Sequence, residues 1–340
     1  KLGEPTFLYN FVMGQSIYWG NRRSFDYQFK KWTRNDRRIH RYRLMVPSRI
    51  AQAIRTELNA MIEMGKREFV YDLFRVNCVT KVRDLIDKHI GNIMDVQWTQ
   101  TIDPETFRQR SEHGYANHPL FYFAFQWILG RKMDVAPSGH LKSGDPIAFE
   151  RRIKNLKYAN GQAVFKTLPP DNVRLGPEPV GDPVRWYAMS HIGVLLVLFL
   201  LIMSRHHLDP VARGILVLAT TLLLGLFGTT LSVLHFGSHW PEMRENLLMV
   251  MVWPVDLILC LTGWNLVRRK GPSSQWPIYY VQLHIVLAIG LIGLGFIVGE
   301  LNGPILPKLT LTAMWIMVFS LLRAQSQQAN TADSGNAANP

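Results

Sequence analysis

The chain has 340 residues, a formal net charge of +13 and a hydrophobic fraction of 48%. Residues 1–187 carry 30 Lys and Arg against 19 Asp and Glu, a net of +11, whereas residues 188–340 carry 8 against 6, a net of +2. Two halves so different predict two domains. The two cysteines, Cys78 and Cys260, lie in different halves, so the composition excludes a disulfide-stapled domain.

The first 35 residues are rich in aromatic side chains. The runs 7–11 and 16–19 are punctuated by Gly14 and Gly20, a pattern that predicts short strands and turns. The stretch 22–43 that follows is rich in Arg and Lys. Such a stretch occurs in nucleic-acid-binding proteins, but a basic face beside an anionic bilayer is the interpretation favoured here.

The boundaries of the next strand and helix are predicted from proline, serine and glycine residues. Residues 41–46 predict a strand that ends at Pro47, and Ser48 is a suitable helix N-cap. Apolar residues at helical spacing then predict one face of a helix that stops near Gly65. These residues are Ile50, Ile54, Leu58 and Met61.

A strand-to-helix junction is predicted around Cys78. Residues 69–76 predict a strand, and Asn77 is a good N-cap residue. Val79, Val82, Ile86 and Ile90 then recur at helical spacing, and Gly91 ends the pattern. Cys78 is therefore predicted in the first helical turn.

This placement gives Cys78 two interpretations. The positive end of a helix dipole stabilises a thiolate, which is the nucleophilic form of cysteine, and Lys81 is expected on the same face. The alternative is a buried structural thiol, because free cysteine is among the most buried residue types.

A cysteine nucleophile normally requires a histidine base, and no spacing singles one out. The soluble half offers five histidines, and the membrane half adds His235 and His239 in a predicted loop beside Gly237. The five are His40, His89, His113, His118 and His140. A pair spaced i, i+4 binds zinc when helical, but Gly237 interrupts this one and no third ligand is evident, so no metal is predicted. The loop pair is expected on the same side of the membrane as Cys78, which makes His239 a candidate site residue.

The second half contains five apolar segments of roughly membrane-spanning length, at about 188–204, 214–235, 247–266, 278–299 and 307–322. If the soluble domain lies outside the cytoplasm, the inside loops carry six basic residues and the outside loops carry two. The six are Arg205, Arg213, Arg268, Arg269, Lys270 and Arg323, and the two are Arg244 and Lys308. This asymmetry predicts a soluble domain on the outer side. The expected organisation is a soluble domain over 1–185, a membrane domain over 186–324 and a disordered tail over 325–340.

Several stretches of the chain resemble the Lnb-type lipoprotein N-acyltransferases of bacteria. The sharpest is 74–85, which contains Asn77-Cys78-Val79-Thr80 and then Arg83-Asp84, where the family shows Asn-Cys-Thr-Thr-x-x-Arg-Asp. Weaker likeness lies in 9–11, 25–29, 42–44 and 119–134, and in His239, Asn246 and Pro254. Val79 departs from the threonine usual in the family.

The resemblance implies an α+β periplasmic domain with a permuted papain-like fold, followed by an all-α transmembrane bundle of about five helices in the bacterial inner membrane. In that fold a histidine in a Gly-His segment precedes the cysteine. This chain has no such segment before Tyr9, so the base is expected either before Lys1 or elsewhere in the chain.

The resemblance also implies a two-step acyl transfer that needs no cofactor. The Cys78 thiolate attacks a phospholipid ester and forms a thioester, and the amine of a diacylglyceryl lipoprotein then takes the acyl chain. Asn77 is expected to cap the helix, whose first-turn N–H groups hold the oxyanion. Arg83 and Asp84, five and six residues on, are expected to orient the site.

Two other functions are compatible with the residues. The first is a membrane-anchored cysteine hydrolase, either a peptidase or a lipase, that uses the same Cys78. The second is a non-catalytic membrane scaffold in which Cys78 is part of the core.

Overall fold

A computed structural model of the chain describes residues 6–35, 39–63, 68–114, 118–168, 183–269, 274–298 and 304–337. The chain forms two compact units. The first comprises Lys1–Arg110 and Val135–Gly181, and the second comprises Ser111–Asp134 and Asp182–Pro340. Residues 111–134 thus cluster with the second unit, which the sequence did not suggest.

The described part is mostly helical. In chain order the α-helices are α1 (Phe7–Val12), α2 (Phe25–Arg34), α3 (Ser48–Glu63), α4 (Cys78–Ile90), α5 (Ile93–Thr99), α6 (Phe107–Gly114), α7 (Pro119–Ile128), α8 (Gly139–Lys142), α9 (Pro146–Ile153), α10 (Pro183–Met203), α11 (Pro210–Gly237), α12 (Leu259–Val267), α13 (Trp276–Ile297) and α14 (Ile305–Ala337). Short 3₁₀ helices lie at Arg131–Asp134, Pro241–Met243, Leu247–Val250 and Pro254–Ile258.

The described residues contain four strands in two antiparallel pairs. Strand β1 (Ile17–Trp19) pairs with β3 (Glu68–Val70), and β2 (Tyr42–Leu44) pairs with β4 (Phe165–Thr167). The α+β character of the first unit rests on these two small sheets. The permuted papain-like topology therefore stays a prediction.

The first unit follows most of the local sequence signals. The strands predicted within 16–19 and 41–46 are present, and a helix covers the predicted face from Ile50 to Met61. Only the beginning of the predicted strand at 69–76 is a strand, namely β3, and a turn follows it. The predicted strand at 7–11 is wrong, because α1 brings Phe7 and Phe11 one turn apart with ring centroids 6.1 Å apart. Gly65 lies outside the described residues.

The core of the first unit lies around the second half of α4. Side chains of α4, α5, α9 and the β2–β4 pair pack together there. They are Ile90, Met94, Trp98, Ile153, Leu156, Val164 and Phe165, with Ile86, Tyr42 and Leu44 at the edge. This core fixes the C-terminal part of α4 and leaves its first turn outside the cluster.

The described part of the second unit contains fewer long spans than expected. Among its described helices, three are long and apolar enough to cross a membrane, and a fourth span is counted if a pair bent by 49° is taken as one. The three are α11, α13 and the part of α14 up to Gln328. The prediction of about five spans is not confirmed at two places. Residues Tyr187–Met203 of α10 form an apolar helix shorter than the other three, and the segment 247–266 is broken at Pro254.

Small residues allow the helices of the second unit to approach closely. A Cβ on Gly228 would lie 2.6 Å from the Trp253 carbonyl carbon, and one on Gly263 would lie 2.6 Å from the Leu218 nitrogen. Close backbone packing through glycine is common among membrane helices.

The chain beyond 325, predicted to be disordered, continues α14 as helix to Ala337. Alanine and glutamine, frequent in this stretch, are good helix formers. Lys270, one of the six basic residues predicted to lie in the inside loops, lies outside the described residues.

Candidate functional site

A short hairpin directly precedes Cys78 in the chain. Asp72 and Val76 form an isolated antiparallel bridge, with N···O distances of 2.9 and 3.1 Å. The Asp72 Oδ1 accepts hydrogen bonds from the backbone N–H groups of Phe74 and Arg75, both at 2.9 Å. Phe74 is buried and its ring centroid lies 4.4 Å from that of Phe107. The turn before the cysteine is therefore anchored by both backbone and side chain.

Asn77 caps helix α4, as its position predicts. Its Oδ1 accepts hydrogen bonds from the N–H groups of Val79 at 2.8 Å and Thr80 at 3.0 Å. The Thr80 Oγ1 accepts in return from the Asn77 N–H at 2.8 Å, which completes a capping box. The helix ends at Gly91, whose φ of 92° is the left-handed conformation that glycine adopts easily.

The same asparagine ties the cap to a distant loop. Its Nδ2 donates to the carbonyl oxygens of Leu73 at 2.9 Å and Gly144 at 3.1 Å. Gly144 itself must be small, because a Cβ there would lie 2.8 Å from the Phe74 oxygen and 3.1 Å from Thr80 Cγ2. Asn77 is 4% exposed, so all these bonds are made in a buried setting.

Cys78 is the first residue of α4, and it is free and exposed. The exposure rules against the interpretation of this thiol as part of the core. Asn77 occupies the N–H groups of Val79 and Thr80, whereas the Cys78 N–H has no acceptor within the described residues. A thiol and an available backbone donor thus share one residue at the positive end of a helix.

Arg83 lies on a different face of α4 from Cys78. It is 5% exposed and shares the buried face with Thr80 and Asp87. Its Nη1 donates to the His140 carbonyl oxygen at 2.7 Å and to Ser143 Oγ at 3.0 Å. The guanidinium also pairs with the exposed Asp84, at 2.6 Å from Nη2 to Oδ1. The hydrogen bonds of the Arg83 guanidinium therefore hold the 140–143 turn against α4, the helix that carries Cys78.

Lys81 is exposed, and its Nζ lies 5.4 Å from the centre of the Phe69 ring. Phe69 belongs to β3, beside an aromatic group in which the rings of Tyr18 and Tyr71 stack at 4.2 Å. The cationic residue one turn beyond Cys78 therefore rests on an aromatic surface.

The described histidine side chains of the first unit lie beside carboxylates rather than beside Cys78. His40 Nδ1 lies 2.6 Å from Glu150 Oε1, and His89 Nε2 lies 2.8 Å from Glu57 Oε2. Burial, and then the Arg83 charge, lower the pKa of His140, whose Nδ1 is 3.9 Å from Asp95. His113 belongs to the second unit, and its side chain lies outside the described residues. The group around His40 sits beside Tyr42, which packs at the edge of the core formed by the C-terminal half of α4.

His118, His235 and His239 belong to the second unit. His118 is exposed. His235 lies in the last turn of α11 rather than in a loop, and its Nδ1 accepts from the Glu245 N–H at 3.1 Å. His239 is exposed in the turn that follows. Within the described part of the chain, no three His, Cys, Asp or Glu side chains converge as a metal site would require.

One polar group in the second unit was missed by sequence reasoning. Asp256 and His284 are both fully buried, with Oδ1 and Nε2 3.2 Å apart, and the Tyr280 hydroxyl donates to the same Oδ1 at 2.6 Å. The other carboxylate oxygen accepts from the Trp253 N–H at 2.7 Å. The signal that was available is the presence of Asp256 and Pro254 inside an apolar segment.

Comparison with known proteins identifies one region. Residues 1–110 match the family model of the Lnb N-terminal periplasmic domain. No curated protein and no solved structure matches the chain. The matched region contains the hairpin, the cap and the cysteine, and it ends where the first unit is interrupted by residues 111–134.

Proposed function

Since the chain carries the N-terminal periplasmic domain of the Lnb family and belongs to that family through it, we propose that it is a membrane-bound thiol acyltransferase. It moves an acyl chain from a phospholipid to the N-terminal amine of a bacterial lipoprotein through a thioester on Cys78. The observation that carries the proposal is the exposed Cys78 at the first position of a capped helix. The protein acts in the inner membrane, with the matched domain on the periplasmic side, and needs neither a cofactor nor nucleic acid.

The first step forms the thioester. The Cys78 sulfur attacks the ester carbonyl, and the negative charge that develops on the carbonyl oxygen is met by the Cys78 N–H. When the tetrahedral intermediate collapses, the C–O bond breaks, and the lysophospholipid leaves as an alcohol after taking up one proton. The acyl group stays on sulfur.

The second step transfers the acyl group to the lipoprotein. The α-amine attacks the thioester carbonyl and loses a proton, the C–S bond breaks, and the Cys78 thiolate returns. Both substrates are lipids, which a nucleophile attached to membrane helices is suited to reach. Amide formation is favourable because a thioester is a more reactive acyl donor than the amide product.

The other site residues have supporting roles in this proposal. Asn77 and the Arg83–Asp84 pair are positioning residues, because they hold the first turn of α4 through Leu73, Gly144 and the 140–143 turn. His239 stays a candidate site residue, because it is exposed and lies in a turn predicted to face the periplasm.

The test is the acylation state of a lipoprotein in cells that lack their own N-acyltransferase and are supplied with this chain. Mass spectrometry should find one additional acyl chain on the lipoprotein N-terminus, and Cys78→Ala should abolish it. Cys260→Ala, which changes the half-buried second cysteine, is the matched control and should retain transfer.

Different results would support other functions. Release of free fatty acid from phospholipid that depends on Cys78, without lipoprotein acylation, would indicate a hydrolase. Absence of both products, with the protein present in the membrane, would leave the scaffold as the better account. His239→Ala should lower transfer without lowering the amount of protein in the membrane.

A further inference from the structure

Helix α2 has two chemically different faces. Phe25, Phe29 and Trp32 recur at i, i+4 and i+7, so they lie along one side of the helix. Lys30, Lys31 and Arg34 lie on the opposite side together with Tyr27, and Arg22 and Arg23 precede the N-cap Ser24. Aromatic residues on one face and cations on the other are typical of helices that lie in a membrane interface.

The aromatic face of α2 is only partly covered by the described part of the first unit. No residue of the helix is buried, Phe29 and Trp32 are half-buried, and Phe25 remains 52% exposed. Phe25 and Phe29 contact each other, with ring centroids 5.6 Å apart. Among the described elements, no helix or strand makes extensive contact with α2, and the guanidinium carbon of Arg41 lies 5.9 Å from the centre of the Phe25 ring. An amphipathic helix whose apolar face stays this exposed is typical of a contact with a partner outside the domain.

The strand that precedes α2 also exposes apolar side chains. Ile17 and Trp19 point to one face of the β1–β3 pair, because alternate residues of a strand share a face, and Val70 lies directly opposite Ile17. All three side chains are exposed. Only five residues separate the end of β1 from the start of α2. Exposed apolar side chains therefore lie close together in the sequence, on a strand and on the helix that follows it.

We propose that α2 lies in the surface of an anionic bilayer, with Phe25, Phe29 and Trp32 among the lipid headgroups and acyl boundary. Charge complementarity supports this occupant, because the flanking cations attract anionic lipids. The same polypeptide carries membrane-spanning helices, so a bilayer is always nearby. A nucleic acid would use the cations and leave the aromatic face exposed to water. Contact of α2 with the bilayer is independent of the chemistry proposed for Cys78.

The test is electron paramagnetic resonance of the full chain in proteoliposomes. A spin label is attached at Gln28→Cys, which borders the aromatic face, or at Tyr27→Cys, which borders the cationic face, in a Cys78→Ser, Cys260→Ser background. In vesicles of equal parts phosphatidylglycerol and phosphatidylcholine, the label at 28 should be accessible to oxygen and protected from a water-soluble nickel reagent. The label at 27 should show the reverse.

The charge dependence is tested in the same system. Lys30→Gln should lower the ratio of docked to free helix about fivefold in the anionic vesicles, because one basic residue near such a surface is removed. It should have little effect in pure phosphatidylcholine. Equal nickel accessibility of both labels in anionic vesicles would overturn the proposal. Protection of the label at 28 that persists unchanged in pure phosphatidylcholine and in high salt would overturn it as well, and would indicate a protein partner.

Discussion

At the scale of single residues, Asn77 connects three parts of the chain around Cys78. Its side chain caps α4 and bonds the carbonyl oxygens of Leu73 and Gly144. The capping role was predicted from sequence, because an asparagine before a helical pattern is a local signal. The bonds to Gly144 and those of Arg83 to the 140–143 turn join residues 57 to 67 positions apart, which no local pattern encodes.

We predict that Asn77→Ala destabilises the first unit by about 2–4 kcal/mol, since a cap is lost and two buried carbonyl groups lose their donor. Asn77→Ser retains a capping hydroxyl and should lose roughly half as much. Thermal unfolding of the full chain in detergent measures both. Equal stability of the alanine variant and the wild type would show that these bonds contribute nothing.

At the scale of elements, strand β2 and helix α9 are joined through Glu150. Its Oε1 accepts from Tyr42 at 2.5 Å and lies 2.8 Å from Lys154 Nζ. Burial raises the pKa of Glu150, but hydrogen bonds from Lys154, Tyr42 and His40 outweigh burial and lower the pKa from its usual 4.5 to about 2. The charged carboxylate therefore stabilises the folded unit.

This pKa predicts how stability depends on pH. Because the folded-state pKa lies below the unfolded value, the stabilisation is fully present above about pH 4.5 and is lost as the pH falls toward about 2. The loss should not exceed about 3 kcal/mol. Thermal unfolding of the wild type and of Glu150→Gln across this range provides the measurement. A glutamine variant with the same pH dependence as the wild type would contradict the assignment to Glu150.

The break in the segment 247–266 of the second unit is stabilised by the buried carboxylate of Asp256. Asp256 lies at the break that follows Trp253, and it accepts hydrogen bonds from the Trp253 N–H and the Tyr280 hydroxyl. Asp256→Ala should cost about 2–5 kcal/mol, because both buried donors lose their acceptor. Tyr280→Phe removes one bond only and should cost about 1 kcal/mol. Melting temperatures in detergent that rank the two variants in the opposite order would be inconsistent with this arrangement.

Sequence patterns predicted the elements of the first unit better than those of the second. The caps at Asn77 and Gly91 were predicted because they depend on neighbouring residues. The segment 247–266 was predicted as one span because average hydropathy does not register the backbone change at Pro254. The helix α1 was predicted as strand because aromatic residues favour strands, whereas the contact between Phe7 and Phe11 forms only in a helix.

At the scale of the whole molecule, the basic residues of the loops predict the orientation in the membrane. His206 lies in the turn between α10 and α11 and is predicted to face the cytoplasm, whereas His239 follows α11 and is predicted to face the periplasm. Both side chains are exposed. In a Cys78→Ser, Cys260→Ser background, a membrane-impermeant thiol reagent should label His239→Cys in spheroplasts and label His206→Cys only after permeabilisation. Labelling of both before permeabilisation would contradict the orientation.

In the proposed reaction, Cys78 carries the acyl group as a thioester. It is tested most directly by incubating the purified full chain with phospholipid in the absence of an amine acceptor and measuring the mass of the peptide that contains Cys78. We expect the added mass of one acyl chain on Cys78, removed by hydroxylamine and by a diacylglyceryl lipopeptide, and absent from Cys78→Ser. An unmodified Cys78 peptide from protein that still acylates the lipopeptide would contradict it.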